Sequence, residues 1–333
     1  MSVRLIERLR RRQIVPAIIG PTASGKTALA LALAKRLPVE IISMDSALIY
    51  RDMDIGTAKP SNEERAAVPH HLIDILDPAE SWSASQFVEA VAALVPQIYG
   101  HGRVPLIVGG TMMYYNALVN GLARLPESDP ELRRQLQAAW AADPAPLRRE
   151  LERVDPEAAG RIAPGDPQRT LRALEVYRLT GRPLSELQRD TRPATPYRFA
   201  ACALLPQDRR WLHRAIAERF DAMLNAGFEE EVRQLYARGD LSTELPSIRS
   251  VGYRQMWGWL AGEYDRDTMV KKAVAATRQL AKRQITWLRK LPAQCQMDPY
   301  TLSIDEQVTR MMAMLEDLSS VEQNSNIDSD KTK

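Results

Sequence analysis

The sequence predicts an α/β protein: a parallel sheet flanked by helices, with a helical insertion domain. Three observations predict it. Up to about residue 120, strand-like and helix-like segments alternate, the pattern of a parallel sheet with crossover helices. The turn Gly20-Pro21-Thr22-Ala23-Ser24-Gly25-Lys26-Thr27 fits G-x-x-x-x-G-K-[ST] and lies between one such strand and one such helix, which makes the sheet P-loop NTPase-like. From 124 to 196 the apolar strand-like runs vanish, and helical patterns rich in Arg, Glu, Ala and Leu replace them.

Taken in order, residues 14–19 are a short apolar run with β-branched members, the signature of a buried strand. After the glycine turn, Ala28-Leu29-Ala30-Leu31-Ala32-Leu33-Ala34-Lys35 consists of strong helix formers. Residues 39–44 read as a second strand that delivers Asp45-Ser46 to its C-terminal end. Residues 71–76 read as a third, stopped by Asp77-Pro78, and 85–99 as a helix ended by Gly100-His101-Gly102. A further buried strand at 103–108 opens into Gly109-Gly110-Thr111. The 124–196 segment is broken by prolines, yet Leu132, Leu136 and Trp140 recur at helical spacing, so it reads as a folded insertion and not a linker. Residues 199–205 look like a strand returning to the sheet, and 208–318 are mostly helical. The polar tail 319–333 is expected to be disordered. The domains are thus expected to be a core of 1–123 with 197–318, and an insertion of 124–196.

Composition narrows the class. With 333 residues and 45% hydrophobic content the chain can bury a substantial core, and a net charge of +3 means that any polyanion surface must come from clustering. Cys202 and Cys295 stand far apart with no C-x-x-C spacing, which argues against a structural zinc or a disulfide framework and fits a reducing compartment. The basic N-terminus lacks an apolar signal core and no run is long enough to span a membrane, so the cytoplasm is the expected location.

The glycine turn carries the first chemical assignment. A strand, a tight turn and a helix N-terminus together make an anion site from unpaired N–H groups and the helix dipole. Lys26 would sit over the terminal phosphates and the Thr27 hydroxyl would hold Mg²⁺. The ligand is therefore a di- or triphosphate, or a pyrophosphate ester. Asp45 reads either as a Mg²⁺-holding acid, or as a general base beside the phosphates, or as a plain turn residue. Gly109-Gly110-Thr111 is equally compatible with close ligand approach and with a tight turn. In open α/β sheets ligands sit beyond the carboxyl ends of the strands, where the loop, Asp45 and Thr111 all fall.

Three basic segments point to a long polyanion. Between residues 271 and 290 there are seven Lys or Arg and no Asp or Glu. On a helix, Lys271, Arg278, Lys282 and Arg289 share a narrow arc, with Leu280, Trp287 and Leu291 nearly opposite as the expected core face. Gln168-Arg169-Thr170-Leu171-Arg172 in the insertion is a second cluster, and Ile248-Arg249-Ser250-Val251-Gly252-Tyr253-Arg254 a third. Separated clusters suit a phosphate backbone better than one small anion. His70, His71, His101 and His213 form no metal-binding pattern, and no G-x-S-x-G elbow is present.

These motifs coincide with those of one family. The phosphate loop, then Asp45-Ser46-Ala47-Leu48-Ile49-Tyr50-Arg51, then Asp54-Ile55-Gly56-Thr57-Ala58-Lys59-Pro60 closely resemble bacterial tRNA dimethylallyltransferases, the tRNA isopentenyltransferase family known as MiaA. Val108-Gly109-Gly110-Thr111, Gln168-Arg169, Ser250-Val251-Gly252-Tyr253-Arg254 and Lys282-Arg283-Gln284-Ile285-Thr286-Trp287-Leu288-Arg289 extend the resemblance from about residue 15 to 292. It implies transfer of a dimethylallyl group from dimethylallyl diphosphate to N6 of the adenine just 3′ of the anticodon in tRNA. It also implies that Asp45 is the general base and that Thr111 contacts the acceptor base. Lys26, the loop amides and Mg²⁺ on Thr27 would stabilise the departing diphosphate, with Arg254 a further ligand for it. The turn at Asp45, Ser46, Ala47 and Leu48 and the three basic segments would grip an anticodon stem-loop from which the adenine has been flipped. The chain is expected to act as a monomer, away from membranes. A phosphate-loop kinase with Arg169 and Arg172 as its lid, an isopentenyltransferase of free adenine nucleotides, and a non-catalytic RNA-binding module are the alternatives.

Overall fold

The computed structural model describes residues 2–123, 125–189, 191 and 193–320. The chain divides into two compact units, Met1–Asn116 with Thr195–Lys333, and Ala117–Ala194. The division falls inside the helix Met112–Asn120, ahead of the boundary at 124 expected from composition.

The first unit is built on six strands: β1 (Ile14–Ile19), β2 (Val39–Met44), β3 (His70–His71), β4 (Val104–Gly109), β5 (Arg198–Leu204) and β6 (Cys295–Met297). They form one sheet in the order β3-β2-β4-β1-β5-β6, and every pair is parallel. All residues of β1 and β2 are buried, as expected of a sheet with helices on both faces. The central strand β1 lies between β4 and β5, with Ile18 opposite Val108 on one side and Cys202 on the other. The carboxyl ends of β1, β2 and β4 therefore lie side by side, and they carry the phosphate loop, Asp45 and Thr111.

β1 and β2 match the apolar runs that predict them, while β4 and β5 are shifted by one residue. The third strand is a correction. It shrinks to His70–His71 because Leu72 and Asp74 turn left-handed, at φ 62° and 57°. The chain rejoins the segment after β2 through the N–H groups of Asp74, Ile75 and Leu76, which donate to the Leu48 and Ile49 carbonyls, and Leu76 bridges Tyr50. β6 has no apolar run to announce it. The basic N-terminus is a helix, Ser2–Arg11, with Leu5, Ile6 and Leu9 buried beneath its arginines. The final helix Ile304–Ser320 includes Ser319, which is buried, so the tail begins later than expected, and residues 321–333 lie outside the described residues. Among the described residues, no helix is long and apolar enough to cross a membrane.

Two histidines have a structural task. Glu40 of β2 is 5% exposed, and it is bonded by His71 Nε2 at 2.7 Å and His101 Nδ1 at 3.0 Å. Burial pushes the Glu40 carboxyl up, but the hydrogen bonds and charge of the two imidazoles together outweigh it and hold the group below its usual range.

A second apolar cluster fixes the chain after β2. Ile49, Tyr50 and Met53 pack with Phe220, Phe228, Tyr253, Met256 and Met269 from the C-terminal helices Arg209–Asn225, Phe228–Ala237, Tyr253–Leu260 and Arg266–Leu288. Gly56 lies flat on this cluster, where a Cβ would come within 2.1 Å of the Phe228 ring. Glu231 then clamps the segment electrostatically. Its carboxylate accepts the backbone N–H groups of Asp54, Ile55 and Gly56 and the Tyr253 hydroxyl.

Among the described residues the second unit is mainly helical, packed around Leu136, Leu147, Leu151, Leu171, Leu174 and Val176. Four of the prolines that read as breaks are helix starts. Pro130, Pro144, Pro156 and Pro167 each occupy a first helical position after an Asp whose carboxylate accepts the next free N–H groups. Proline lacks only the N–H that such a position leaves unpaired, and Asp supplies the cap.

Candidate active site

The phosphate loop leaves β1 at Gly20 and turns into the helix Lys26–Ala34 through two left-handed residues, Ala23 at φ 62° and Gly25 at φ 79°. A Cβ on Gly20 would lie 2.6 Å from Ser24 Oγ, which instead donates to the Pro21 carbonyl at 2.8 Å and closes the loop from within. Other elements hold it from outside. The Tyr300 hydroxyl donates to the Ala23 carbonyl at 2.8 Å, and the Thr22 N–H donates to Gln284 Oε1 at 2.9 Å. Gln284 Nε2 in turn donates to the Gly110 carbonyl at 2.8 Å.

The question left open at Gly109-Gly110 resolves differently at each position. A Cβ on Gly109 would lie 2.0 Å from the Met44 carbonyl oxygen, so this glycine lets β4 meet β2. One on Gly110 would lie 2.6 Å from Gln284 Nε2, so that glycine makes room for the bracing amide. Thr111 then turns its hydroxyl to the neighbouring strand end and accepts the Ser46 N–H at 3.1 Å. Asp45 Oδ1 accepts the Ala47 N–H at 2.9 Å, which fixes the carboxylate in a short turn and leaves its second oxygen for other work.

These groups line one cavity of about 560 Å³ with Lys26, Thr27 and Arg219. Burial pushes the Lys26 ammonium down to about 8; Asp45 draws it back up and Arg219 depresses it further. Arg219 is likewise lowered by burial and supported by Asp45, and it donates to the Thr57 carbonyl at 3.3 Å. Two desolvated cations beside a single carboxylate make a cleft that favours a polyanion. A second hollow of about 770 Å³, walled by the segment from Lys59 to Arg65, shares Lys26, Thr27 and Arg219 with the first. The cations thus stand on the wall common to both. The first cavity also has apolar walls: Met113 and Trp287 are 55% and 42% exposed and both line it.

The structure sorts the sequence-predicted residues. Of the loop Gly20–Thr27, Thr22, Ala23, Lys26 and Thr27 line the cavity, together with Asp45, Ser46, Ala47, Leu48 and Thr111. So do Arg249, Ser250, Val251, Gly252, Arg283, Gln284 and Trp287. Tyr253 borders it but is fully buried against Glu231, so it is not an aromatic surface for RNA. Arg254, expected on the diphosphate, is exposed and does not line the cavity; Arg219 stands there instead. On the basic helix, Lys282, Thr286 and Arg289 are exposed, whereas Ile285 and Leu288 belong to the core. The expected core face is wrong at Trp287, which the packing of Ile285 and Leu288 turns toward the cavity. In the helical unit Gln168 and Arg169 are exposed, but Thr170 and Leu171 are buried. Arg172 is tied to the buried Glu175 at 2.8 Å and to the Pro126 carbonyl at 2.7 Å, which makes it a structural arginine.

Arg219 and Glu231 escape a reading of the sequence. Arg219 sits between Ala-Ile-Ala-Glu and Phe on an ordinary amphipathic helix, and its only signal is a cation next to the buried Phe220. Glu231 is one of three consecutive glutamates in a first helical turn, where acids are commonplace.

Residues 48–291 match the family model described as IPP transferase, and residues 13–74 match that described as isopentenyl transferase. A protein named tRNA dimethylallyltransferase from Hydrogenovibrio crunogenus is 54% identical over 321 residues, covering 96% of this chain and 98% of its own. The crystal structure of a full-length tRNA isopentenylpyrophosphate transferase from Bacillus halodurans is similar at a TM-score of 0.67 and 34% identity, covering 92% of this chain and 98% of that one. A eukaryotic dimethylallyltransferase acting on tRNA is similar at a TM-score of 0.79 and 27% identity, covering 92% of this chain and 79% of that one.

Proposed function

The chain belongs to the tRNA dimethylallyltransferase family, and from that premise we propose how its own residues carry the reaction. The enzyme transfers the dimethylallyl group of dimethylallyl diphosphate to N6 of the adenine 3′-adjacent to the anticodon in tRNA, and releases diphosphate. The observation that carries the reading is the cavity in which Asp45 faces Lys26 and Arg219. The family excludes the kinase alternative, and Arg172, bound to Glu175, is not free to act as a lid.

The bond between the allylic carbon and the bridging oxygen breaks as N6 attacks that carbon. Negative charge gathers on the departing diphosphate, where the loop N–H groups, Lys26 and Arg219 meet it in a desolvated site. Mg²⁺ held there would supply further charge neutralisation. Thr27 fits such an ion, since its hydroxyl is exposed at the helix start, while no cluster of three or more His, Cys, Asp or Glu forms a separate cage among the described residues. Phosphate oxygens and water would complete the shell, as Mg²⁺ prefers.

The lone pair on adenine N6 is delocalised into the ring, so attack is aided by removing an N6 proton as the new bond forms. The free oxygen of Asp45 takes that proton, while the Ala47 N–H holds the other oxygen still. Thr111 keeps the turn in register through the Ser46 N–H and presents its hydroxyl to the acceptor base. A stacked base is out of reach, so the adenine is extruded into the cavity, where Met113 and Trp287 offer apolar surface to base and prenyl chain. Lys282, Arg283 and Arg289 on one unit, and Gln168 and Arg169 on the other, are exposed for the anticodon arm. An RNA substrate suits the cytoplasm, which we read as the compartment, and one copy of the chain supplies every group named, so we read the active form as a monomer.

The test is transfer from labelled dimethylallyl diphosphate, with Mg²⁺, to unmodified tRNA and in parallel to AMP. Label in tRNA and not in AMP is expected. Label in AMP alone would mean a nucleotide enzyme.

A further inference from the structure

Gln284 reads from the sequence as an RNA contact, yet both ends of its amide are occupied by protein backbone. Oε1 accepts from the Thr22 N–H at 2.9 Å and Nε2 donates to the Gly110 carbonyl at 2.8 Å. One side chain therefore joins the phosphate loop, which receives the leaving group, to the residue preceding Thr111, which faces the acceptor. The amide is carried by the helix Arg266–Leu288, whose neighbouring residues Lys282 and Arg283 are exposed cations. The fit is close from the other side as well, because a Cβ on Gly110 would stand 2.6 Å from Nε2. Each end of the amide is thus anchored to backbone by one bond, with the Gly110 backbone close against it, and a side chain held at both ends in this way acts as a brace.

Resting on the transferase reading above, we infer that Gln284 is a positioning residue that couples RNA bound on the basic helix to diphosphate bound in the phosphate loop. The loop N–H of Thr22 points at Gln284 only while the helix keeps its place. RNA that pins the helix therefore pins the loop in its anion-binding form, and an anion that orders the loop holds the helix for RNA. Such coupling is reciprocal by necessity: each ligand raises the affinity of the other by the same factor. No contact between the two ligands is required for it.

The experiment measures binding of inorganic pyrophosphate with Mg²⁺, with and without an unmodified anticodon stem-loop RNA, and the reverse titration. In the native protein each ligand is expected to tighten the other by about tenfold. Gln284→Met matches the length of the side chain and removes both hydrogen bonds. Each ligand alone should then bind within about threefold of the native value, while the coupling factor falls to near one. Gly110→Ala displaces the amide without altering it, its Cβ standing 2.6 Å from Nε2 and 3.0 Å from the Gly20 carbonyl; its coupling factor should likewise fall to near one, whatever the change in binding of either ligand alone, and it keeps the test alive if Gln284→Met fails to fold. A native factor of one overturns the inference. So does a variant that keeps the native factor, and so does RNA binding weakened equally with and without pyrophosphate, which is the behaviour of a direct RNA contact. Failure of the native protein to bind the stem-loop at all would instead overturn the transferase reading.

Discussion

The ammonium of Lys26 donates a hydrogen bond of 2.7 Å to the carbonyl of Pro21, five residues back in its own loop. The lysine is thus folded onto the wall of an anion site and poised to exchange one carbonyl for phosphate oxygens. Its environment makes that exchange favourable, for a desolvated cation with a lowered pKa gains from any anion brought near it.

Lys26 should accordingly cost stability while it enables function. Its folded value of about 8 lies below the ordinary 10.5, so between those values the unfolded chain binds more protons and stability rises with pH. Below pH 8 the cost, on the order of 3 kcal/mol, is fully present. Lys26→Met should therefore raise the Tm of the ligand-free protein at pH 7, by a margin that shrinks toward pH 10, and lower kcat/KM by at least ~10²-fold. Calorimetry at both pH values checks the first part, and initial rates the second.

Arg219 and Arg254 should separate cleanly. Arg219→Ala is expected to reduce kcat/KM for dimethylallyl diphosphate by ~10²-fold or more, since a partly buried guanidinium at a diphosphate is charge-assisted. Arg254→Ala should change it by less than about threefold. Steady-state kinetics with the diphosphate varied at saturating tRNA distinguishes them, and equal losses would return Arg254 to the diphosphate.

Asp45→Ala should cut single-turnover transfer by ~10²–10⁴-fold and leave tRNA affinity nearly unchanged, because the base acts only during bond formation. Rapid-quench transfer and filter binding on the same preparation make the comparison. A variant that binds tRNA poorly and turns over normally would remove Asp45 from the chemistry.

Neutralising Lys282 and Arg289 together should weaken tRNA binding and flatten the salt dependence, by roughly 0.7–0.9 in log–log slope for each lost phosphate contact. Binding isotherms between 50 and 200 mM salt, a range of about fourfold, suffice. An unaltered slope would mean that this face meets something other than RNA.

What was legible in the sequence follows from how local each signal is. The phosphate loop, β1 and β2 announce themselves because glycine turns, buried strands and helix formers act within a few residues of one another. The placement of Asp45 and Thr111 follows from strand ends alone, while their roles rest on the family resemblance. Trp287 does not, because helical spacing opposes it to the cations but only the surrounding packing decides which of two apolar stripes is core. Tyr253 and Thr170 look available and are buried for the same reason. Arg219 lies far along the chain from every residue it works with, and Glu231 acts on backbone N–H groups that leave no mark on side-chain pattern. The third strand failed at Leu72 and Asp74, whose left-handed conformations no apolar run foretells.

The placement of β1 has a consequence for synthesis. Its partners are β4 and β5, and β5 follows the whole of the helical unit, while the groups that hold the phosphate loop, Gln284 and Tyr300, come later still. The helical unit, a continuous segment with its own core, is complete before the ribosome has delivered the far side of the sheet. Long-range parallel pairing is slow to close, so β1 waits with one apolar edge open for most of elongation. A chain released early therefore carries the glycine loop without the residues that shape it. Nascent and truncated copies would leave the cell's prenyl diphosphate and its tRNA untouched, and the enzyme would begin to act only when nearly its full length has emerged.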